Sequence, residues 1–180
     1  MMNLRKSWRA VALVAVAAFV ASPAMADDGY FWSTCKPAAI THSPDDIVTT
    51  AVKAGSFQTL AALLTQAGLV TTLQGPGPFT VFAPTDAAFN KIPSSVLSAI
   101  GQSALAPVLT YHVVAGRKDL RFADETVTLK TVQGEKLFAR VYCDKGTARI
   151  RVNNSTVVAT PIAATNGIIY VIDSVLLPQF

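Results

Sequence analysis

Two segments far apart in the chain constrain its fold more than anything else in it. They are FTVFAPTDAAF, residues 79–89, and NGIIYVIDSVLLP, residues 166–178. In the first, residues 79–83 read as a buried strand that stops at Pro84. Thr85 and Asp86 then stand where side-chain oxygens satisfy the orphan amides of a short helix carrying Phe89. In the second, Asn166-Gly167 reads as a turn and residues 168–172 as a strand apolar on both faces, ended by Pro178. A strand of that kind is covered on both sides. The pair predicts one folded nucleus assembled across a long sequence separation.

The N-terminus is read apart from the fold. Arg5, Lys6 and Arg9 precede an uninterrupted apolar run over residues 10–21, and Ala24-Met25-Ala26 offers the small residues of a cleavage site. The run falls short of the roughly 20 residues a membrane span needs. No cysteine stands at this site to carry a lipid. Residues 1–26 are therefore expected to be a signal peptide, with the mature chain periplasmic or secreted and without a transmembrane segment.

Three of the fifteen basic residues leave with that leader, so twelve basic residues face eleven acidic ones in the remainder. Nucleic-acid binding needs a basic stripe or face. The densest basic segment, Arg117, Lys118 and Arg121, is interrupted by Asp119 and reads as a solvated loop. No nucleic-acid partner is expected. Cys35 and Cys143 would lie, after export, where disulfides persist. A bridge would tie the N-terminal extension to a central strand, but two cysteines alone do not establish proximity, and free thiols stay open.

Residues 27–43 show no sustained periodicity, although Tyr30, Phe31 and Trp32 suggest that part of them packs on the domain that follows. That domain is expected over 44–180. Ser43 reads as an N-cap, Pro44 as the first helical residue, Ile47, Val48 and Val52 as the apolar face, and Gly55 as the stop. A second helix over 57–67 carries Phe57, Leu60, Leu63 and Leu64 on one face and closes at Gly68. After Gly75-Pro76-Gly77-Pro78 comes the strand at 79–83. A short helix carries Phe89, another follows Pro93 up to Gly101, and a further one spans 105–112, with Gly116 beyond it. Strands follow at 126–130, 137–142, 148–152, 156–159 and 168–172. Helices first and strands afterwards indicate an α+β domain.

The ordered combination of FAPTDAAF, TYHVVAG and ATNGIIYVIDSVLLP resembles the fasciclin domain over residues 44–178. The resemblance implies helices packed on a twisted, mostly antiparallel β structure, with the strand at 79–83 near the one at 168–172. It also implies an exported, non-enzymatic adhesion or interaction module whose partner is a protein or glycan at a cell surface. In adhesion-type relatives the Tyr-His region is implicated in recognition, which makes Tyr111 and His112 the candidate binding residues. Thr85, Asp86, Asn166, Gly167 and Asp173 are the candidate structural motif. Some animal members carry an Asp-Ile pair before the last motif that is linked to integrin binding. Here those positions are Pro161-Ile162, so the acidic residue is absent.

The residues themselves give each position a plainer reading as well. His112 follows Tyr111 and precedes Val113-Val114, which suits a buried histidine in a structural role. His42 lies outside the domain pattern, and the two histidines have no clustered carboxylates or thiolates beside them. No metal or cofactor is expected. Asp173 reads as a turn-holding acceptor. Two overlapping sequons at residues 153–156 are sufficiently explained as a turn. An alternative function, carriage of an apolar molecule such as a carotenoid or lipid, would use a groove between helices and sheet. An enzyme would require Tyr111, His112, Asp86 and Asp173 to converge.

Overall fold

The computed structural model describes residues 35–93, 105–123 and 126–178. The leader, the Tyr30-Phe31-Trp32 stretch and the helix expected after Pro93 lie outside the described residues. The chain runs through β1 (Thr41–His42), α1 (Ile47–Lys53), α2 (Gln58–Gln66), α3 (Val70–Gln74), β2 (Phe79–Pro84) and α4 (Asp86–Asn90). A helix over 105–111, α5, leads into β3 (Val113–Ala115) and a 3-10 turn (Leu120–Phe122). Then come β4 (Val127–Lys130), β5 (Lys136–Asp144), β6 (Thr147–Val152), β7 (Ser155–Thr156), β8 (Ile162–Ala164) and β9 (Gly167–Ile172). The architecture is α+β.

The strands form two sheets, one ordered β1-β8-β9-β2-β3 and the other β4-β5-β6-β7. β2 and β9 pair directly and in parallel, with Val81 opposite Ile169 and Phe82 opposite Tyr170. The two segments that dominate the sequence are thus adjacent central strands. The second sheet is antiparallel throughout, whereas the first is mixed.

Alternation along β2 and β9 makes three layers. Phe82, Ile168, Tyr170 and Ile172 pack towards the inner face of the second sheet, among Leu129, Leu137 and Ile150. Val81, Ala83, Ile169 and Val171 point the other way and pack under Phe57, Leu60 and Leu64 of the helical layer. This is why β9 is apolar at every position: a central strand between two layers has no polar face to offer. The Phe82 and Tyr170 rings stack with centroids 5.7 Å apart. The Tyr170 hydroxyl stays satisfied in the core, accepting from the Leu120 N–H at 2.8 Å and donating to the Lys118 carbonyl at 3.1 Å.

Several expected details differ. Helix α1 begins at Ile47, and its N-cap is Asp46, whose Oδ1 accepts from the Thr49 N–H at 2.8 Å. Ser43 does not cap it, because its own N–H donates to the Ala163 carbonyl and holds the chain extended beyond β1. Val52 is exposed and Thr50 takes the buried place. Helix α3 and strands β3 and β8 were not anticipated. The strand expected over 156–159 ends at Thr156, because Val157 bridges to Ile172 of the other sheet.

Residues 35–43, read from sequence as an extension, run along both sheets. Cys35 is disulfide-bonded to Cys143 with Cα atoms 5.7 Å apart. Lys36 exchanges backbone hydrogen bonds with Gly146 and Ala148 at 3.0 and 2.9 Å, and β1 then pairs with β8.

Candidate functional site

His112 follows the last helical residue of α5, where the chain turns into β3. Its side chain is 2 % exposed. Nδ1 lies 2.8 Å from the Val108 carbonyl, and Nε2 accepts the Leu176 N–H at 3.0 Å. A carbonyl can only accept and an amide can only donate, so the ring must be neutral with its proton on Nδ1. Burial pushes the pKa down to about 4, against a smaller upward pull from the Val108 carbonyl. The imidazole is a strut between the end of α5 and the C-terminal segment.

That strut makes stability depend on pH with a definite sign. The unfolded chain binds the proton near pH 6.5 and the folded one only near pH 4, so between these values the unfolded state holds more protons. The contribution is complete above pH 6.5 and is lost as pH falls towards 4. We expect denaturant unfolding to show a loss of about 3 kcal/mol between pH 7 and pH 4, largely absent from His112→Gln. Asp46, Asp86 and Asp119, held below the usual carboxylate range by backbone and side-chain hydrogen bonds, act below that window.

Tyr111 is 4 % exposed, with its ring in the core between the sheets. Its hydroxyl accepts from Asn153 Nδ2 at 3.1 Å and donates to the Lys136 carbonyl at 3.3 Å. Asn153 adopts a positive φ of 49° in the β6–β7 turn, and its Oδ1 accepts from the Phe138 N–H at 2.9 Å. The turn reading of that asparagine pair therefore has a geometric counterpart. Tyr111 lines an open groove of about 820 Å³, together with Lys136, Phe138, Asn153, Ser174 and Leu177.

The motif residues tie the layers together. Asn166 Oδ1 accepts from the Ile47 N–H at 3.0 Å, while Nδ2 donates to the Leu73 and Gly75 carbonyls at 2.7 and 3.2 Å. One side chain thus closes the start of α1 and the end of α3. Gly167 faces the Phe79 carbonyl so closely that a Cβ there would overlap it. Thr85 caps its own helix, its Oγ1 accepting from the Ala88 N–H at 3.2 Å. Asp86 instead caps α2, accepting from the Thr59 and Gln58 N–H groups at 2.8 and 3.3 Å. Helix α2 has no side-chain cap of its own at Phe57. Asp173 Oδ1 accepts from the Thr156 N–H at 2.9 Å and holds β7 beside the end of β9. Tyr111, His112, Asp86 and Asp173 are thus each bonded to a different part of the backbone or to Asn153. The structure does not bring them together as an acid–base set.

The comparisons with known proteins agree with this arrangement. The Fasciclin domain family profile matches residues 55–178. The chain belongs to the fasciclin domain family. Immunogenic protein MPB70 of Mycobacterium bovis is 35% identical over 188 residues, covering 96% of this chain and 94% of that protein. The uncharacterised protein sll1735 of Synechocystis is 44% identical over 134 residues, 73% of this chain and 97% of its own. Cell surface glycolipoprotein MPB83 of M. bovis is 36% identical over 141 residues, 74% of this chain and 61% of its own. In shape the fasciclin domain matches a FAS1 domain pair from the insect cell adhesion molecule fasciclin I. The TM-score is 0.58 at 21% identity, over 69% of this chain and 46% of that one.

Two features of this fasciclin domain bear on ligands. Two apolar cavities in the helical layer, one over the sheet beneath α1 and α2 and one around Leu109 and His112, are each about 20 Å³. That is room for about one water molecule and far below the roughly 300 Å³ at which small-molecule pockets begin. Among the described residues no helix is long and apolar enough to cross a membrane. The linear sequence also conceals a basic face. Lys130, Lys136, Arg140, Arg149 and Arg151 all project from the outer side of the β4–β7 sheet. They alternate with buried apolar residues and sit on three strands, so no run of basic residues announces them. The signal is the period of two in residues 136–140 and 149–151.

Proposed function

We propose that this fasciclin domain is an exported, non-enzymatic interaction module that binds partners at a cell surface. The observation that carries the reading is the use made of the motif side chains. His112, Asp86, Asn166 and Asp173 are each held by backbone groups of other elements, so the motif builds a scaffold. A scaffold of this kind presents surfaces. The family and the cell-surface names among its relatives support the setting. Of the Tyr-His pair, Tyr111 lines the open groove and His112 does not, and recognition near this motif would run through that groove. Internal cavities of 20 Å³ give the apolar-carrier reading no support.

The test is deletion of the gene in its host, followed by measurement of attachment to surfaces and to other cells. Reduced attachment, restored by the full-length gene, is the expected result. Unchanged attachment would count against the reading.

A further inference from the structure

We propose that the outer face of the β4–β7 sheet, with the groove that adjoins it, binds an acidic polysaccharide. This rests on the reading of the domain as an interaction module and names the chemistry of its partner.

Charge is the first ground. Residues 127–156 contain six basic and two acidic residues, whereas residues 27–126 and 157–180 together contain six basic and nine acidic. The domain is thus polarised although its total is near neutral. On the face itself the cations oppose one another across the strands: Arg140 is the partner of Arg151, and Lys130 of Lys136. All four are exposed. Like charges directly opposite destabilise a sheet, and the fold does not require them, since the outer face carries no core contacts. Among the described residues the face has one ion pair, Arg149 with Asp144 at 3.6 Å, at its far end. Glu135 stands at the near end beside the groove. Among the described residues the cations between have no anionic partner, and a polyanion would supply one.

The second ground is what lies among the charges. Along β5 the outward residues read Lys136, Phe138, Arg140, Tyr142, alternating cation and ring, with Phe138 51 % exposed. Alternate residues of a strand stand roughly 7 Å apart. Guanidinium groups bind carboxylates or sulfates in a fork, and flat rings stack on sugar faces. Lys136 and Phe138 also line the groove, together with the exposed Asn154. A concave wall that joins a cation, a ring and an amide suits an acidic sugar chain. A bilayer would be met by a convex apolar tip.

The experiment measures binding of the full mature chain to polygalacturonate, with neutral dextran as control. Single-stranded DNA and phosphatidylglycerol vesicles serve as the competing polyanions. We expect binding to polygalacturonate that weakens with salt, and none to dextran. Arg140→Glu with Arg151→Glu should weaken it about ten-fold or more, while Lys53→Glu on the helical layer leaves it unchanged. Phe138→Ala should weaken it several-fold without altering the salt dependence. All these positions are exposed, and Lys130→Ala with Lys136→Ala provides a second charge-removing pair. Equal binding by the charge-reversed and native proteins would overturn the proposal. So would absence of binding to polygalacturonate, or tighter binding to DNA or vesicles. Attachment lost on gene deletion alongside any of these results would leave the interaction module standing and remove only this partner.

Discussion

Removing the Cys35–Cys143 bridge is expected to lower the free energy of unfolding by about 4 kcal/mol. The two cysteines are 108 residues apart in sequence, so the bond closes a loop spanning most of the domain. In the chain-entropy account a loop of that size confines the unfolded chain by roughly 4.7 kcal/mol. The native structure loses little else. Lys36 keeps its backbone bonds to Gly146 and Ala148, and β1 keeps its place beside β8. The paired variant Cys35→Ala with Cys143→Ala should therefore show a native near-ultraviolet spectrum at neutral pH with a much lower denaturation midpoint. A thiol titration of the unreduced protein checks the premise. Two reactive thiols would contradict it.

Gly167→Ala is the second large effect, and it acts on the folded state. Gly167 is paired with Phe79 at the start of the β2–β9 ladder. An added Cβ would overlap the Phe79 carbonyl and come within 2.7 Å of Ile47 Cδ1. The first is backbone on a central strand and cannot step aside without opening the parallel pair. Overpacking of this kind is expected to destabilise by about 3 kcal/mol or more. Gly55→Ala provides the contrast. Gly55 has φ +70° and open space around it, so the change should be limited to about 1 kcal/mol from the left-handed backbone. Equal losses at the two glycines in urea unfolding would show that the close approach at Gly167 does not matter.

The nucleus was legible because its chemistry is unusual. Residues 168–172 have no polar face, and only a strand between two layers tolerates that. Turn and cap residues were legible where they act on their own element, as Thr85 does. They misled where tertiary pairing took the backbone elsewhere: Ser43 is held extended just beyond β1 by the Ala163 carbonyl, which leaves the capping of α1 to Asp46. Asp86 was read as closing the helix in which it lies, yet it closes the neighbouring one, because the cap of α2 is supplied from across the layer. Strands β3 and β8 have three residues each, too few to display a period, and exist because β2 and β9 offer them edges. The basic face escaped for a related reason. Its residues are scattered in sequence and become a surface only when register sets Arg140 against Arg151.

The Tyr-His motif is framework, with His112 as a neutral strut in the interior. Nitrogen-15 NMR of the His112 imidazole through an acid titration measures this directly. The expected result is a proton on Nδ1, an unprotonated Nε2, and no titration until the pH approaches 4. A ring that titrates near pH 6.5, or that carries its proton on Nε2, would contradict it.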